Sequence, residues 1–325
     1  MSTRRELLQG SLATVFVSSA ATPSLGQTQP LSNLEILVPA APGSGWDKLA
    51  RAIERALKSN KLVAEVNVEH SPGSNGMVGL AKFAQSKKGQ GNAVLIGAGS
   101  MINAQAISKS TIALRDVVPI ARLAGEFEVV TVTAQSPFAT LKDLAAALKS
   151  DPEKLTWVGG SPGGTDHVLV GTIARAVGVE PKAAKFTSFK TDDEALAFLS
   201  GNQFAAGIAG WGDFAEHIKA GKLRALGITA TKRQTGIDVP TLTEQGVNVE
   251  FYSWRGIFGA PGINTDQRIA LTSAIDKMVK SPGWTAELKQ LGLIDLHLSG
   301  AAFAAELGVQ VQKTSDILKA LGLPN

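Results

Sequence analysis

The 325-residue sequence contains no cysteine, one tyrosine and four histidines, and only 6% of it is aromatic. Without cysteine there is no disulfide, no thiolate metal site and no cysteine nucleophile. A lipid-anchored cysteine behind a signal sequence is excluded as well. The histidines, His70, His167, His217 and His297, show no metal-ligand spacing, so neither a metal nor a cofactor is expected. Charged residues make up 18% of the chain, with a formal net charge of +4 and no long Lys/Arg run, which argues against nucleic-acid binding. Beyond the first thirty residues no apolar run approaches the ~18 residues that cross a bilayer. What remains is an ordinary globular composition, 44% hydrophobic, in a chain long enough for two domains.

The first 26 residues, MSTRRELLQGSLATVFVSSAATPSLG, read as an export signal. Arg4 and Arg5 precede Leu7 and Leu8, a mild apolar run follows from Leu12 to Ala21, and small residues offer cleavage near Ala20 or after Gly26. The Thr-Arg-Arg-x-Leu-Leu order fits a twin-arginine signal; an ordinary secretory signal with two arginines is the other reading. The expected location is the periplasm of a Gram-negative bacterium, as a free, soluble protein.

From residue 31 on, apolar strands alternate with amphipathic helices, which predicts α/β layers. Strands are expected at 34–38, 63–68, 93–97, 127–133, 155–158, 204–208, 224–229 and 254–259. Helices are expected at 46–58, 75–85, 140–149, 165–177, 192–199, 213–219, 265–280 and 301–320. Thr191-Asp-Asp-Glu194 and Ser44-x-x-Asp47 both fit capping boxes, and Ser281-Pro-Gly reads as a turn.

One catalytic motif fits. Gly159-Gly160-Ser161-Pro162-Gly163 satisfies G-x-S-x-G between a strand and a helix, with His297 late enough to complete a serine-hydrolase order. The residue after such a serine supplies an oxyanion-hole N–H, and Pro162 has none. Losing one such donor costs roughly 3–4 kcal/mol, so an esterase using Ser161 is the weaker alternative. Gly43-x-Gly45 and Gly97-x-Gly99 lack the third glycine of a dinucleotide fingerprint, and there is no P-loop.

Two joints are alike. VPAAPGSGWDKLARAI and WVGGSPGGTDHVLVGTIARAV each run from strand through a Gly/Pro/Ser loop into a helix. Each offers amides and hydroxyls at a helix start, where an anion is favoured. They are either two lips that grip one anion or two ordinary strand-to-helix turns.

At these residues the sequence resembles the substrate-binding proteins of tripartite tricarboxylate transporters, the Bug-type periplasmic receptors, and especially their tricarboxylate-binding branch. The resemblance covers nearly all of residues 31–325. It is carried by PAAPGSGWD (39–47), SPGSNGMVGLAKF (71–83), PIARLAGEFEVVTV (119–132), GGSPGGTDH (159–167), IKAGKLRALGIT (218–229), DVPTLTEQG (238–246) and WRGIFGAPG (254–262). It implies a type II periplasmic binding protein: two α/β lobes with a ligand cleft and a two-segment hinge, crossing near 125–135 and 248–258. Domain I would comprise 31–130 plus 254–325, and domain II 131–253.

The resemblance further implies a small di- or tricarboxylate ligand, citrate-like, held by loop amides, hydroxyls and water rather than by an arginine clamp. It implies no catalysis, delivery to a large and a small integral membrane subunit, and a monomer; a receptor serving signalling rather than uptake is the alternative. Ser44, Gly45, Trp46 and Asp47 fall on the first binding loop, and Ser161, Gly163, Gly164, Thr165, Asp166 and His167 on the second. Ser44 and Gly45 would donate from domain I, Gly164 and Thr165 from domain II. Asp47 would hold its loop or accept a ligand hydroxyl, and Trp46 would wall the cleft or belong to the core. His167 would be a neutral donor, a ligand-tuned cation or a brace. Trp211 and Arg255 fall near the cleft or hinge, in a binding or a structural role. Two departures from the family pattern bear on the ligand: Ser44 replaces a common glycine, and Pro162 removes an N–H.

Overall fold

Short apolar runs and amphipathic segments assemble two α/β lobes in the computed structural model, which describes residues 31–108, 110–189, 192–201 and 205–324. The export-signal reading, Thr191 of the second capping box and residue 204 of a predicted strand lie outside the described residues. In chain order the elements are β1 (Leu31–Val38), α1 (Gly45–Ser59), β2 (Val63–His70), α2 (Met77–Ser86), β3 (Ala93–Ala98), α3 (Ser100–Ser108) and β4 (Val118–Glu126). The chain then enters β5 (Glu128–Thr133), α4 (Leu141–Ser150), β6 (Thr156–Gly159), α5 (Thr165–Ala176), β7 (Phe186–Ser188), α6 (Asp192–Gly201), β8 (Ala205–Gly210), α7 (Trp211–Lys219) and β9 (Leu223–Ile228). It ends with β10 (Ser253–Gly259), α8 (Thr265–Val279), α9 (Pro282–Leu291), β11 (Ile294–Ser299) and α10 (Gly300–Ala320).

The first lobe holds a six-stranded sheet in the order β11-β4-β10-β3-β1-β2, and the second a five-stranded sheet in the order β7-β6-β8-β5-β9. Strands β1, β2 and β3 are mutually parallel, as are β6, β7 and β8, whereas β4, β5, β9, β10 and β11 pair antiparallel. The chain passes between sheets at Phe127 and again before Ser253. Phe127 marks the first passage: its carbonyl accepts from Trp211 N at 3.0 Å, and the two rings stand 5.9 Å apart.

Sheet faces explain the helices. β3 is buried along its whole length, the pattern of a strand covered on both sides. On α1, Leu49, Ala50, Ile53 and Leu57 are buried at helical spacing against β1, β2 and Trp284 of α9. The C-terminal helix α10 serves both lobes. Phe303 and Leu307 pack in the first-lobe core, whereas Ile317 and Leu318 pack with Val168 of α5.

Five elements depart from the sequence expectation. Strand β4 is central, between β11 and β10, yet Pro119, Arg122 and Gly125 interrupt its apolar alternation. Gly125 faces Leu296 and the Ser253 carbonyl so closely that a Cβ would stand 2.7 Å from each. β7 has only three residues, β11 is half-exposed, and α3 buries only Met101, Ile102 and Asn103, so none shows a clear period. Ser281-Pro-Gly is a helix start rather than a turn: Ser281 caps α9 by accepting from Trp284 N, and Pro282 takes the first helical position, where no N–H is missed.

Candidate functional site

Each lobe contains three parallel strands with a central member, β1 in one and β6 in the other. The connection from β1 runs to β2 on one side and that from adjacent β3 to β4 on the other, and β6 and β8 diverge likewise toward β7 and β9. The crevice where neighbouring strand ends part in this way is where open α/β sheets collect ligands. The two similar joints of the sequence occupy these two positions.

In the first lobe, residues 39–44 turn β1 into α1. Gly43 takes φ +80°, and its N–H donates to Asp47 Oδ2 at 2.7 Å. Ser44 is the N-cap, its hydroxyl accepting from Asp47 N at 3.3 Å. The capping box is thus half-made: Ser44 N donates to Ala41 O, and the Asp47 carboxylate reaches Gly43 instead. Burial pushes Asp47 up, but the Gly43 amide, the His70 ring 2.8 Å from Oδ1 and Arg51 together hold it below the ordinary aspartate value. With its oxygens committed in this way, Asp47 braces the loop. The N–H groups of Gly45 and Trp46 precede the first α-helical donor, Lys48 N, and point out of the positive end of α1.

These residues open on a cavity of about 400 Å³ lined by Pro39, Ala40, Ser44, Gly45, Trp46, the stretch Gly73 to Gly76, and Arg255. That volume suits a small metabolite. The β2–α2 loop supplies the second wall, with left-handed Ser74 (φ 47°), Asn75 (φ 49°) and Gly76 (φ 90°) in succession. Strained backbone of this kind concentrates at functional sites. A Cβ on Gly76 would stand 2.9 Å from the Trp46 ring, so Trp46 both floors the cavity and fills core space. Sequence reasoning placed SPGSNG in a family motif without assigning it to the site; four successive positive φ values from 73 to 76 are invisible in the residue names, apart from the two glycines.

In the second lobe the loop 160–164 turns β6 into α5. Gly163 takes φ +73°, and its N–H donates to His167 Nδ1 at 3.0 Å. His167 therefore carries its proton on Nε2. Burial lowers its pKa, and the ring stacks on Phe186 at 4.4 Å, so it is a neutral brace. Gly160 N donates to Asp166 Oδ2 at 2.7 Å, and Gly164 N to Ser161 O at 2.9 Å. The Gly164 amide, expected to face a ligand, is thus already engaged, whereas Thr165 opens α5 and Ser161 is exposed. None of these residues lines the 400 Å³ cavity. Gly163 instead meets the first lobe: a Cβ there would stand 2.5 Å from Ile107 Cδ1 of α3.

Between the two loops, at the crossing, lies a charged cluster. Arg255 Nη2 donates to Glu126 Oε1 at 2.9 Å, and a Cβ on Gly45 would stand 3.9 Å from the same nitrogen. Glu128 is buried, and this pushes its pKa well above the ordinary glutamate value; the carboxylates of Asp166, Glu126 and Asp213 add to the rise, and Arg255 opposes it. Asp166 is raised to about 6, by burial first and then by Asp213 and Glu126, against the Gly160 hydrogen bond. Among the described residues no group of three or more acidic or histidine side chains is arranged to hold a metal, and no helix is long and apolar enough to cross a membrane.

A serine-hydrolase site is not assembled. The His297 ring pairs with Asp276 of α8 at 3.0 Å, and among the described residues no hydrogen bond joins Ser161 to a histidine. The fold and the cleft define a two-lobed α/β binding protein. The family described as tripartite tricarboxylate transporter family receptor matches residues 49–323, and the chain belongs to it; it is a receptor, not an enzyme. Protein BugT of Bordetella pertussis is 27% identical over 82% of this chain and 83% of its own. The crystal structure of a TctC solute binding protein from Polaromonas superposes with a TM-score of 0.77, at 25% identity over 90% of this chain and 99% of that one. A Rhodopseudomonas palustris protein solved with adipate, 20% identical over 91% of this chain and 99% of its own, shares the fold at a TM-score of 0.67.

Proposed function

We propose that this chain is a periplasmic receptor that captures a small di- or tricarboxylate between its lobes and delivers it to a membrane permease of one large and one small subunit. One observation carries the reading: a metabolite-sized cavity at a strand-end crevice, edged by the Gly45 and Trp46 N–H groups, the Ser44 hydroxyl and the Arg255 guanidinium. Every one of these groups favours an anion. The adipate in a relative of the same fold supports a diacid of few carbons. Ser161 and Thr165 of the second loop are the groups that would reach the ligand as the lobes close.

Residues 1–26 act as the export signal in this reading, and the mature receptor is a monomer. In this reading domain I comprises 31–130 plus 254–325 and domain II 131–253, with the passages between the sheets at Phe127 and before Ser253 as the hinge. Thermal melting with citrate, tricarballylate, succinate and adipate tests the proposal. A ligand at 100 times its dissociation constant stabilises the fold by ~2.7 kcal/mol, a shift of several degrees. An unchanged melt with all four acids would end it.

A further inference from the structure

Arg255 is the only charged residue lining the cavity among the described residues, and it is poorly matched to its partner. The same chain shows what a matched arginine does. On α1, Arg55 presents Nε and Nη2 side-on to Glu287, with distances of 2.7 and 2.6 Å to the two carboxylate oxygens. Arg255 offers the same edge, but only Nη2 is bonded, to Glu126 Oε1 at 2.9 Å, while Nε is buried with no partner. A guanidinium with an unmet N–H out of water is costly, and the planar fork is built for a bidentate carboxylate.

Glu126 has somewhere else to go. Its second oxygen lies against the start of α7, so close that a Cβ on Gly210 would stand 2.9 Å from it, and Gly210 provides no side-chain cap for that helix. A carboxylate there meets the positive end of the helix, whose first N–H, that of Trp211, is already given to Phe127 O. Arg255 also stands beside the amides of Gly45 and Trp46, where one acid group of a ligand is expected.

From this we infer that Arg255 is the specificity-determining residue of the cleft: it takes the second carboxylate of the ligand, and Glu126 is the internal carboxylate that this group displaces. The inference rests on the receptor reading above and deepens it. A monoacid satisfies only the α1 amides and leaves Arg255 with Glu126. A diacid completes the fork and frees Glu126 to cap α7, which ties ligand capture to the second lobe. Asp213 Oδ2 also crowds Gly210, and Glu128 and Asp166 stand nearby. The raised pKa values of Glu128 and Asp166 reduce the negative charge that a second acid group meets.

Isothermal titration with the length-matched pair hexanoate and adipate, and with tricarballylate, tests the inference on the full chain. The wild type should bind adipate at least about thirtyfold more tightly than hexanoate. R255Q should bring adipate down to the hexanoate level with hexanoate itself within about twofold, and R255K, which keeps the charge without the fork, should fall between. E126Q, which removes the internal competitor, should tighten adipate several-fold and leave hexanoate unchanged. If R255Q and R255K bind adipate as the wild type does, or lose both acids equally, the Arg255 assignment is wrong while the receptor reading stands. Should the arginine variants not fold, E126Q decides alone: unchanged or weakened adipate binding overturns the displacement. A wild type that binds none of the three acids brings down the receptor reading itself, and this inference with it.

Discussion

The two strand-to-helix loops are built to one plan and left in different states. In each, a left-handed glycine donates its N–H to the side chain four residues later: Gly43 to Asp47, and Gly163 to His167. In each, the residue after that glycine caps the helix, Ser44 in one and Gly164 in the other. Yet the first loop is braced by an ionised carboxylate that pairs with His70, and the second by a neutral imidazole that stacks on Phe186. The first faces an open cavity, whereas the second is pressed on Ile107 of the opposite lobe. The shared plan fixes where the amides point; the neighbour across the gap decides whether the loop faces an open cavity or the other lobe.

The sharpest way to break the comparison is to give both left-handed glycines a methyl group. Positive φ penalises alanine at either position by about 1 kcal/mol. At Gly43 nothing lies within 4 Å of the new Cβ, so G43A should lose about that much. At Gly163 the Cβ would meet Ile107 Cδ1 at 2.5 Å, the far end of an exposed side chain that can turn aside, at a rotamer cost of about 0.5–1 kcal/mol. Urea unfolding should therefore show G163A less stable than G43A by about 0.5–1 kcal/mol. Equal losses would mean that the second loop does not press on the first lobe as the structure has it.

Charge gives the next test. Asp166 titrates near 6 in the folded protein against 3.8 for the ordinary side chain, so the folded state binds its proton more tightly than the unfolded state. Stability is then highest below pH 3.8 as far as this group is concerned, and it is lost as pH rises through 6. The loss is on the order of 2 kcal/mol once partial exposure is allowed for. D166N keeps an acceptor for the Gly160 amide but cannot ionise; it should be the more stable protein at pH 7.5 and differ little at pH 3.5. His167 works in the opposite sense. Its depressed pKa means stability that is lost as pH falls below about 6.5, so its slope partly hides that of Asp166 in the wild type and should stand out in D166N. Asp47, held low, contributes stability at neutral pH that disappears in acid. Denaturant midpoints of wild type and D166N across pH 3.5 to 7.5 would reveal these slopes, and a D166N that is less stable at pH 7.5 contradicts the buried-cluster account.

Much of this was legible in the sequence because it depends on local signals. The Gly/Pro/Ser loops, the parallel βαβ units and the helix starts at Ser44 and Gly164 follow from residue type and spacing. The family resemblance supplied the two-lobed architecture that periodicity alone does not specify. Strand β4 was hidden because its neighbours β10 and β11 come from more than a hundred residues away, and the pairing with β10 shifts register beside Pro119. The left-handed run through Ser74 and Asn75 was hidden because these residue types do not demand positive φ. Arg255 was named only as near the cleft or hinge; its unmatched fork depends on Glu126, 129 positions away, and no motif links the two. The engaged Gly164 amide is also a three-dimensional fact, since the same dipeptide could have left it open.

The smallest expected effect separates folding from binding at the first loop. S44G makes its cap like that of Gly164 in the second loop. The Ser44 hydroxyl accepts from Asp47 N at 3.3 Å, a long bond, and glycine is itself a tolerated N-cap, so the change should cost only a few tenths of a kcal/mol. Backbone donors at Gly45 and Trp46 stay in place, and the Gly43–Asp47 bond continues to hold the turn. What is lost is one hydroxyl at the rim of the cavity, whose proton is free to reach a carboxylate while its oxygen caps the helix. An unchanged melt with affinity for a diacid reduced about ten- to a hundredfold would assign that hydroxyl to the ligand, because a hydrogen bond to a charged carboxylate contributes about 1.5–3 kcal/mol. A fall in stability beyond 1 kcal/mol with affinity intact would instead make Ser44 a cap and nothing more, and the first loop would then differ from the second in its brace and in what stands opposite it, not in a hydroxyl kept for the ligand.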